Sequence, residues 1–126
     1  MRFYLAAMFQ QIDYMRHCAD ALKEAGHECT ARWVYGGEEG LSLPDIARID
    51  LEDIDRADAL VLFSFPRGMI LPAGGGRHVE FGYALAREKA LIIVGPYENV
   101  FQEHPLVRRF GTYEEFLQWL TTSTTS

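Results

Sequence analysis

The chain has 126 residues, enough for one domain that buries about two-thirds of its unfolded surface in a core of its own. Its formal net charge is −6, which argues against polymeric nucleic acid, because gripping a phosphate backbone needs a basic face. A small nucleotide stays possible, since it needs only a local cluster of donors. No apolar run approaches the roughly 18–20 residues of a membrane span. The opening MRFYLAAMF lacks a signal-type apolar region and cleavage site, so the expected location is the cytoplasm.

In chain order, residues 2–7 read as a first strand. Residues 11–25 read as an amphipathic helix with Ile12, Met15, Ala19, Leu22 and Ala25 on one face, stopped by Gly26. Residues 28–34 are a second strand and 35–43 a glycine-rich loop. Residues 44–56 are a second helix opened by Pro44. ALVLFSF at 59–65 is a continuous apolar run, as expected for a strand covered on both faces. Residues 66–76 form a long loop, 77–88 a third helix, and ALIIVG at 90–95 a second buried strand. Thr112 and Glu115 form a T-x-x-E capping box for a last helix. Residues 1–120 thus read as one domain, and the Ser/Thr tail 121–126 is expected to fray.

Strands alternating with helices predict an α/β fold, a doubly wound, flavodoxin- or Rossmann-like parallel sheet of four to five strands with helices on both faces. Such sheets bind ligands beyond the carboxyl ends of their strands. The segments to inspect are therefore 6–11, 33–43, 64–80 and 95–101.

The loop AGGGRHVE at 73–80 runs into the third helix. Gly74, Gly75 and Gly76 let a ligand approach the backbone, and the helix start offers free N–H groups to a phosphate or sugar oxygen. Arg77 reads either as a further anion contact or as a solvent-facing cation. Glu80, placed in the first turn, reads either as a carboxylate favoured by the helix dipole or as an ionised nucleophile. Asp50, Asp53, Asp55 and Asp58 crowd the second helix and its exit. Most read as solvated charges, and Asp58, at the end of the strand remote from the crevice, as a structural turn residue. Tyr4 reads by default as core. Phe9, Trp33 and Phe65 could stack on a ring or belong to the core. Cys18 and Cys29 have neither metal-ligand nor CxxC spacing and read as reduced thiols. His17, His27 and His104 have no metal spacing and His78 stands alone, so neither metal nor cofactor is expected.

The segments YLAAMF (4–9), DLEDIDRAD (50–58) and GGRHVEFGYAL (75–85), followed by LIIVGP, resemble the nucleoside 2-deoxyribosyltransferase family. Its superfamily also holds 2′-deoxynucleoside 5′-monophosphate N-glycosidases. The resemblance runs in order along nearly the whole chain, and EFGYAL is its most specific part. It implies that Glu80 is the nucleophile, Asp50 the carboxylate handling the proton of the leaving base, and Tyr4 the hydroxyl that orients Glu80. Met8, Phe9, Gly74, Gly75, Gly76, Arg77 and His78 then fall at the substrate. Asp58 matches a structural family Asp. Where transferases of the family carry Asp and the monophosphate hydrolases Ser, this chain has Gly74, which leaves free nucleoside and 5′-monophosphate both open. The family Asn that reaches a neighbouring subunit's site has Asn99 as its nearest candidate.

The implied reaction is double displacement at C1′ of a 2′-deoxynucleoside. Glu80 takes the sugar as a glycosyl ester while Asp50 donates to the departing base, and an incoming base or water completes the turnover. The expected partners are a nucleoside or nucleotide and a nucleobase, with no membrane, and a second copy of the chain in a homodimer or larger homo-oligomer. A non-catalytic nucleotide-binding module is the alternative of another class.

Overall fold

The computed structural model describes residues 1–71 and 75–124, with side chains to 122. Five parallel strands form one sheet in the order β2-β1-β3-β4-β5. They are β1 (Arg2–Ala6), β2 (Glu28–Cys29), β3 (Ala59–Phe63), β4 (Ala90–Val94) and β5 (Val107–Phe110). The helices are α1 (Ile12–Glu24), α2 (Leu43–Asp55), α3 (Gly75–Ala86) and α4 (Tyr113–Thr124). This is the expected doubly wound α/β architecture, flavodoxin-like in strand order. The winding reverses at β1, which pairs with β2 on one side and with β3 on the other, Phe3 opposite Ala59 through Ala6 opposite Leu62.

The core follows from the apolar patterning. Every residue of β3 is buried, as are the last four of β1 and of β4, the composition of strands covered on both faces. On one face α1 presents Met15, Cys18, Ala19 and Leu22, and the Tyr113 hydroxyl at the start of α4 donates to the Cys18 carbonyl at 2.8 Å. On the other, α2 and α3 meet, and the Tyr83 hydroxyl donates to the Asp55 carboxylate at 2.9 Å. Ala25, expected on the buried face of α1, is exposed, because the helix ends at Glu24.

Several expected boundaries shift for identifiable reasons. The second strand stops at Cys29 rather than 34. Thr30 makes a last backbone bond to Phe3 at 2.8 Å, but the next free N–H, that of Arg32, goes to the Asp53 carboxylate at 2.9 Å. The chain then turns into a short 3₁₀ segment, Arg32–Tyr35. Trp33 folds inward, its Nε1 donating to the Leu5 carbonyl at 3.0 Å. The fifth strand has no counterpart in the apolar pattern, because Arg108 and Arg109 occupy its middle. It is an edge strand, and these arginines lie over Trp119 and Tyr97, respectively. The last helix is capped by the Thr112 hydroxyl, which accepts from the Glu115 N–H at 3.2 Å, while Glu115 accepts from Gly111. It runs to Thr124, and the hydroxyls of Thr121 and Thr122 bond back to the preceding turn.

Asp53 is the clearest correction to a solvated reading. Its side chain is fully buried and is met by the Arg32 N–H, the Arg32 Nε at 2.9 Å and the Arg56 Nη2 at 2.5 Å. It ties the carboxyl end of β2 to α2. Asp58, by contrast, accepts from the Arg2 N–H at 2.8 Å at the amino end of the sheet and is largely exposed. Because Asp53→Asn leaves two guanidinium groups without their buried anion, it is expected to cost about 3 kcal/mol of unfolding free energy in urea. Asp58→Asn should cost clearly less, and a reversed order would overturn this assignment.

Candidate functional site

A cavity of about 490 Å³ opens beyond the carboxyl ends of β1 and β3, the switch-point position where such sheets hold ligands. Its walls are the segment after β1 (Met8, Phe9), Trp33, α2 (Ile46, Asp50, Leu51) and the start of α3 (Gly76, Val79, Glu80). Trp33 is buried, while Phe9 is 68% exposed at the rim. Phe65, the third candidate ring, lies instead under the Arg77 guanidinium, 5.3 Å from its centroid.

Glu80 is not in the first turn. The helix starts at Gly75, and Glu80 is its sixth residue, beyond the turn over which the dipole acts strongly. What dominates its charge is burial, which pushes its carboxyl up to about 8; Asp50 adds to that, and the Tyr4 hydrogen bond opposes it. The expectation of a carboxylate held ionised by the helix start is therefore reversed in sign. Tyr4, fully buried in the middle of β1, donates its hydroxyl to Glu80 Oε2. Its own proton is held firmly: burial raises it well above the ordinary tyrosine range, with Glu80 and Asp50 adding to the effect.

Asp50, on the cavity side of α2, is likewise pushed up to about 8, first by burial, then by a hydrogen bond and charge contact with Glu38. Sequence reasoning misses Glu38. It sits in the turn after Tyr35, bracketed by Gly36 and Gly40, both at a φ of 77° that glycine alone adopts without strain. The signal that could have found it is an acidic pair inside a glycine-rich loop at a strand's carboxyl end, a poor structural choice.

Gly75 and Gly76 face open space. A β-carbon at either would meet no atom within 4 Å, and neither needs a positive φ. Nothing in the packing of the described residues requires a glycine at these two positions, and Gly76 borders the cavity. Gly74 lies outside the described residues. Met8 is almost buried against the cavity and its N–H donates to Gln11 Oε1.

Arg77 is neither solvent-facing nor free. Its side chain is 1% exposed and paired through both terminal nitrogens with Glu98, and Nη1 also points at the Phe63 carbonyl. Its Nε is buried and has no partner among the described residues. Glu98, the second residue that sequence reasoning misses, is held well ionised by this guanidinium despite its burial. His78 stands 3.9 Å from the same carboxylate, and burial, then the Arg77 charge, lowers its proton affinity. Asn99 uses its side chain to cap the 3₁₀ turn at Val100–Glu103, accepting from Phe101 and Gln102. Among the described residues no group of three or more His, Cys, Asp or Glu is arranged to hold a metal ion, and no helix is long and apolar enough to cross a membrane.

No family model and no curated protein matches the chain. Among solved structures it is similar to BcmB, a CMP N-glycosidase of Clostridium botulinum. The TM-score is 0.67 at 22% identity, and the match covers 97% of this chain and 99% of that one. At that identity the likeness is one of fold.

The raised Glu80 carboxyl carries a stability consequence. The unfolded chain ionises Glu80 near its ordinary value of 4.5 and the folded chain near 8, so its contribution is fully present below the lower value and is lost as pH rises through the upper. Within that window the loss approaches about 1.4 kcal/mol per pH unit. Glu80→Gln is expected to melt higher than the parent at pH 9 and at nearly the same temperature at pH 4. Thermal melts across this range test it, and equal offsets at both ends would refute the burial argument.

Proposed function

We infer that the protein cleaves the N-glycosidic bond of a nucleoside or nucleotide, with Glu80 as nucleophile. The observation that carries this reading is the pairing of Tyr4 and Glu80 at the wall of the switch-point cavity, with Asp50 facing the same space. A sugar whose C1′ approaches Glu80 receives an oxygen that Tyr4 orients and that burial has stripped of water. The oxocarbenium character developing at C1′ is stabilised by the adjacent carboxylate and then captured as a glycosyl ester. Asp50, protonated at neutral pH, supplies the proton that lets the base leave as a neutral heterocycle. In the second half, a base or water attacks C1′ from the side the first base vacated. Trp33 and Phe9 offer rings on which the base can lie, and open space at Gly75 and Gly76 accommodates the 5′ side of the sugar near the helix start.

The resemblance of the Glu80 and Asp50 segments favours transfer between bases of a 2′-deoxynucleoside. A second reading, hydrolysis of a nucleoside monophosphate, draws support from the nucleotide N-glycosidase whose fold the chain shares. Arg77 supplies no phosphate site in either case, since Glu98 already occupies its guanidinium. A 5′-phosphate would have to rely on the N–H groups at the start of α3. As an enzyme of either kind the protein would work without a cofactor, in the cytoplasm and as a homo-oligomer.

Incubation with deoxynucleosides, ribonucleosides and their monophosphates, with and without an acceptor base, followed by chromatography, separates the readings. A new nucleoside formed only with acceptor marks transfer, and free base formed without acceptor marks hydrolysis. Glu80→Ala should remove at least 10³-fold of either activity, as expected for loss of a nucleophile. Intact-mass analysis of the parent quenched in turnover should show the sugar adduct. Near-parental activity in a folded Glu80→Ala protein would sink the reading.

A further inference from the structure

Glu38 and Asp50 line the same cavity as Glu80, one carried by the glycine-bracketed turn and the other by α2. Each has a carboxyl oxygen, Glu38 Oε1 and Asp50 Oδ1, that is buried and receives no N–H or O–H from the described residues. Two carboxylates buried in one wall repel each other, and a proton on one of them relieves the repulsion and lets the two share a hydrogen bond. We propose that Glu38 is a positioning residue that keeps one proton on Asp50, the pair forming the proton store from which the departing base is protonated. This rests on the N-glycosidase reading of the same cavity and adds to it a residue for the proton step.

The surroundings decide whether the proton stays. Burial favours the neutral form and Glu38 adds both a hydrogen bond and a negative field. From α2 itself Asp53 acts in the same direction, though two guanidinium groups largely neutralise it. Arg32 opposes by its charge, but its nitrogens are bonded to Asp53 and Glu52 rather than to Asp50. On Glu80, which lines the same cavity, the Asp50 charge also favours the neutral form, and the Tyr4 hydroxyl is already given to Glu80. Arg77 borders the cavity but is neutralised by Glu98. The cation nearest in effect is thus occupied, and Glu38 is the group whose removal most directly frees Asp50 to ionise.

The step balances. The C1′–N bond breaks as the C1′–O bond to Glu80 forms. The Asp50 proton passes to the base nitrogen that takes up the leaving electron pair, and the pair is left with two negative charges. Their repulsion draws a proton back in the second half, from the attacking water or from the N–H of the incoming base, as its oxygen or nitrogen bonds to C1′ and the Glu80 ester opens.

The proton can be read without turnover. In infrared titration the protonated-carboxyl band that Asp50→Asn removes should fall in midpoint by about one pH unit or more in Glu38→Gln, a tenfold weaker hold on the proton. In kinetics, Glu38→Gln should change the rate ratio between a poor and an activated leaving base by about tenfold. The double variant Glu38→Gln/Asp50→Asn should be no slower than Asp50→Asn alone, because Glu38 acts only through Asp50. A merely structural role would slow both substrates alike. An unmoved infrared midpoint, or an unchanged rate ratio in an active enzyme, overturns the proposal. A moved midpoint in a parent protein inactive on every substrate overturns the N-glycosidase reading instead and leaves the proton pair standing.

Discussion

The pairing of β1 with β3 governs where everything else can go. Because β1 also pairs with β2 on its other side, the chain winds away from β1 in both directions, and the segments leaving β1 and β3 part from each other above the sheet. That parting is the cavity. It brings Tyr4 of β1, Asp50 in the middle of α2 and Glu80 in the second turn of α3 to one place, although they are separated by 46 and 30 positions along the chain. Register matters as much as order, since a slip of one residue in β1 would turn the Tyr4 hydroxyl to the opposite face.

Burial then sets the chemistry. Removing a carboxylate from water costs far more than a helix dipole returns, and the dipole fades beyond the first turn. Glu80, one turn into α3, is therefore a reluctant anion with a single hydroxyl donor among the described residues. Two carboxyls raised into the same range at one cavity constrain each other: ionising both at once is disfavoured by their mutual repulsion. Proton traffic between a base and the Asp50–Glu38 pair would be gated by the state of Glu80.

The fold class, the strand order and the location of the crevice were legible, because apolar runs such as 59–65 and 90–95 announce strands covered on both faces. The convergence of Tyr4, Asp50 and Glu80 on one cavity was legible only through the local motifs around them, since periodicity alone reads each of them as core or as surface charge. The rest was hidden for physical reasons. An edge strand carrying Arg108 and Arg109 has no apolar signature, because those cations rest on aromatic faces supplied from elsewhere. The early end of β2 depends on a buried carboxylate 21 positions downstream. The fate of Arg77 depends on Glu98, an equally long-range partner, and no local pattern encodes either.

Asp50 and Asp53 lie one turn apart on the same helix, and their contrast separates architecture from chemistry. Asp53 is fully buried and saturated: a backbone N–H and two guanidinium groups converge on it. Such an anion is compensated, and compensation is what a structural charge requires. Arg77 and Glu98 satisfy each other in the same way, which removes the guanidinium from service to a ligand. Asp50 and Glu38 keep buried oxygens that no donor among the described residues reaches, and Glu80 has one donor for a carboxylate that can accept several. Leaving polar groups short of partners costs stability, so their concentration around one apolar cavity is the mark of a site completed by something that enters it. A departing heterocycle that accepts a proton from one wall, and an anomeric carbon that draws electrons from the other, would complete it on both sides.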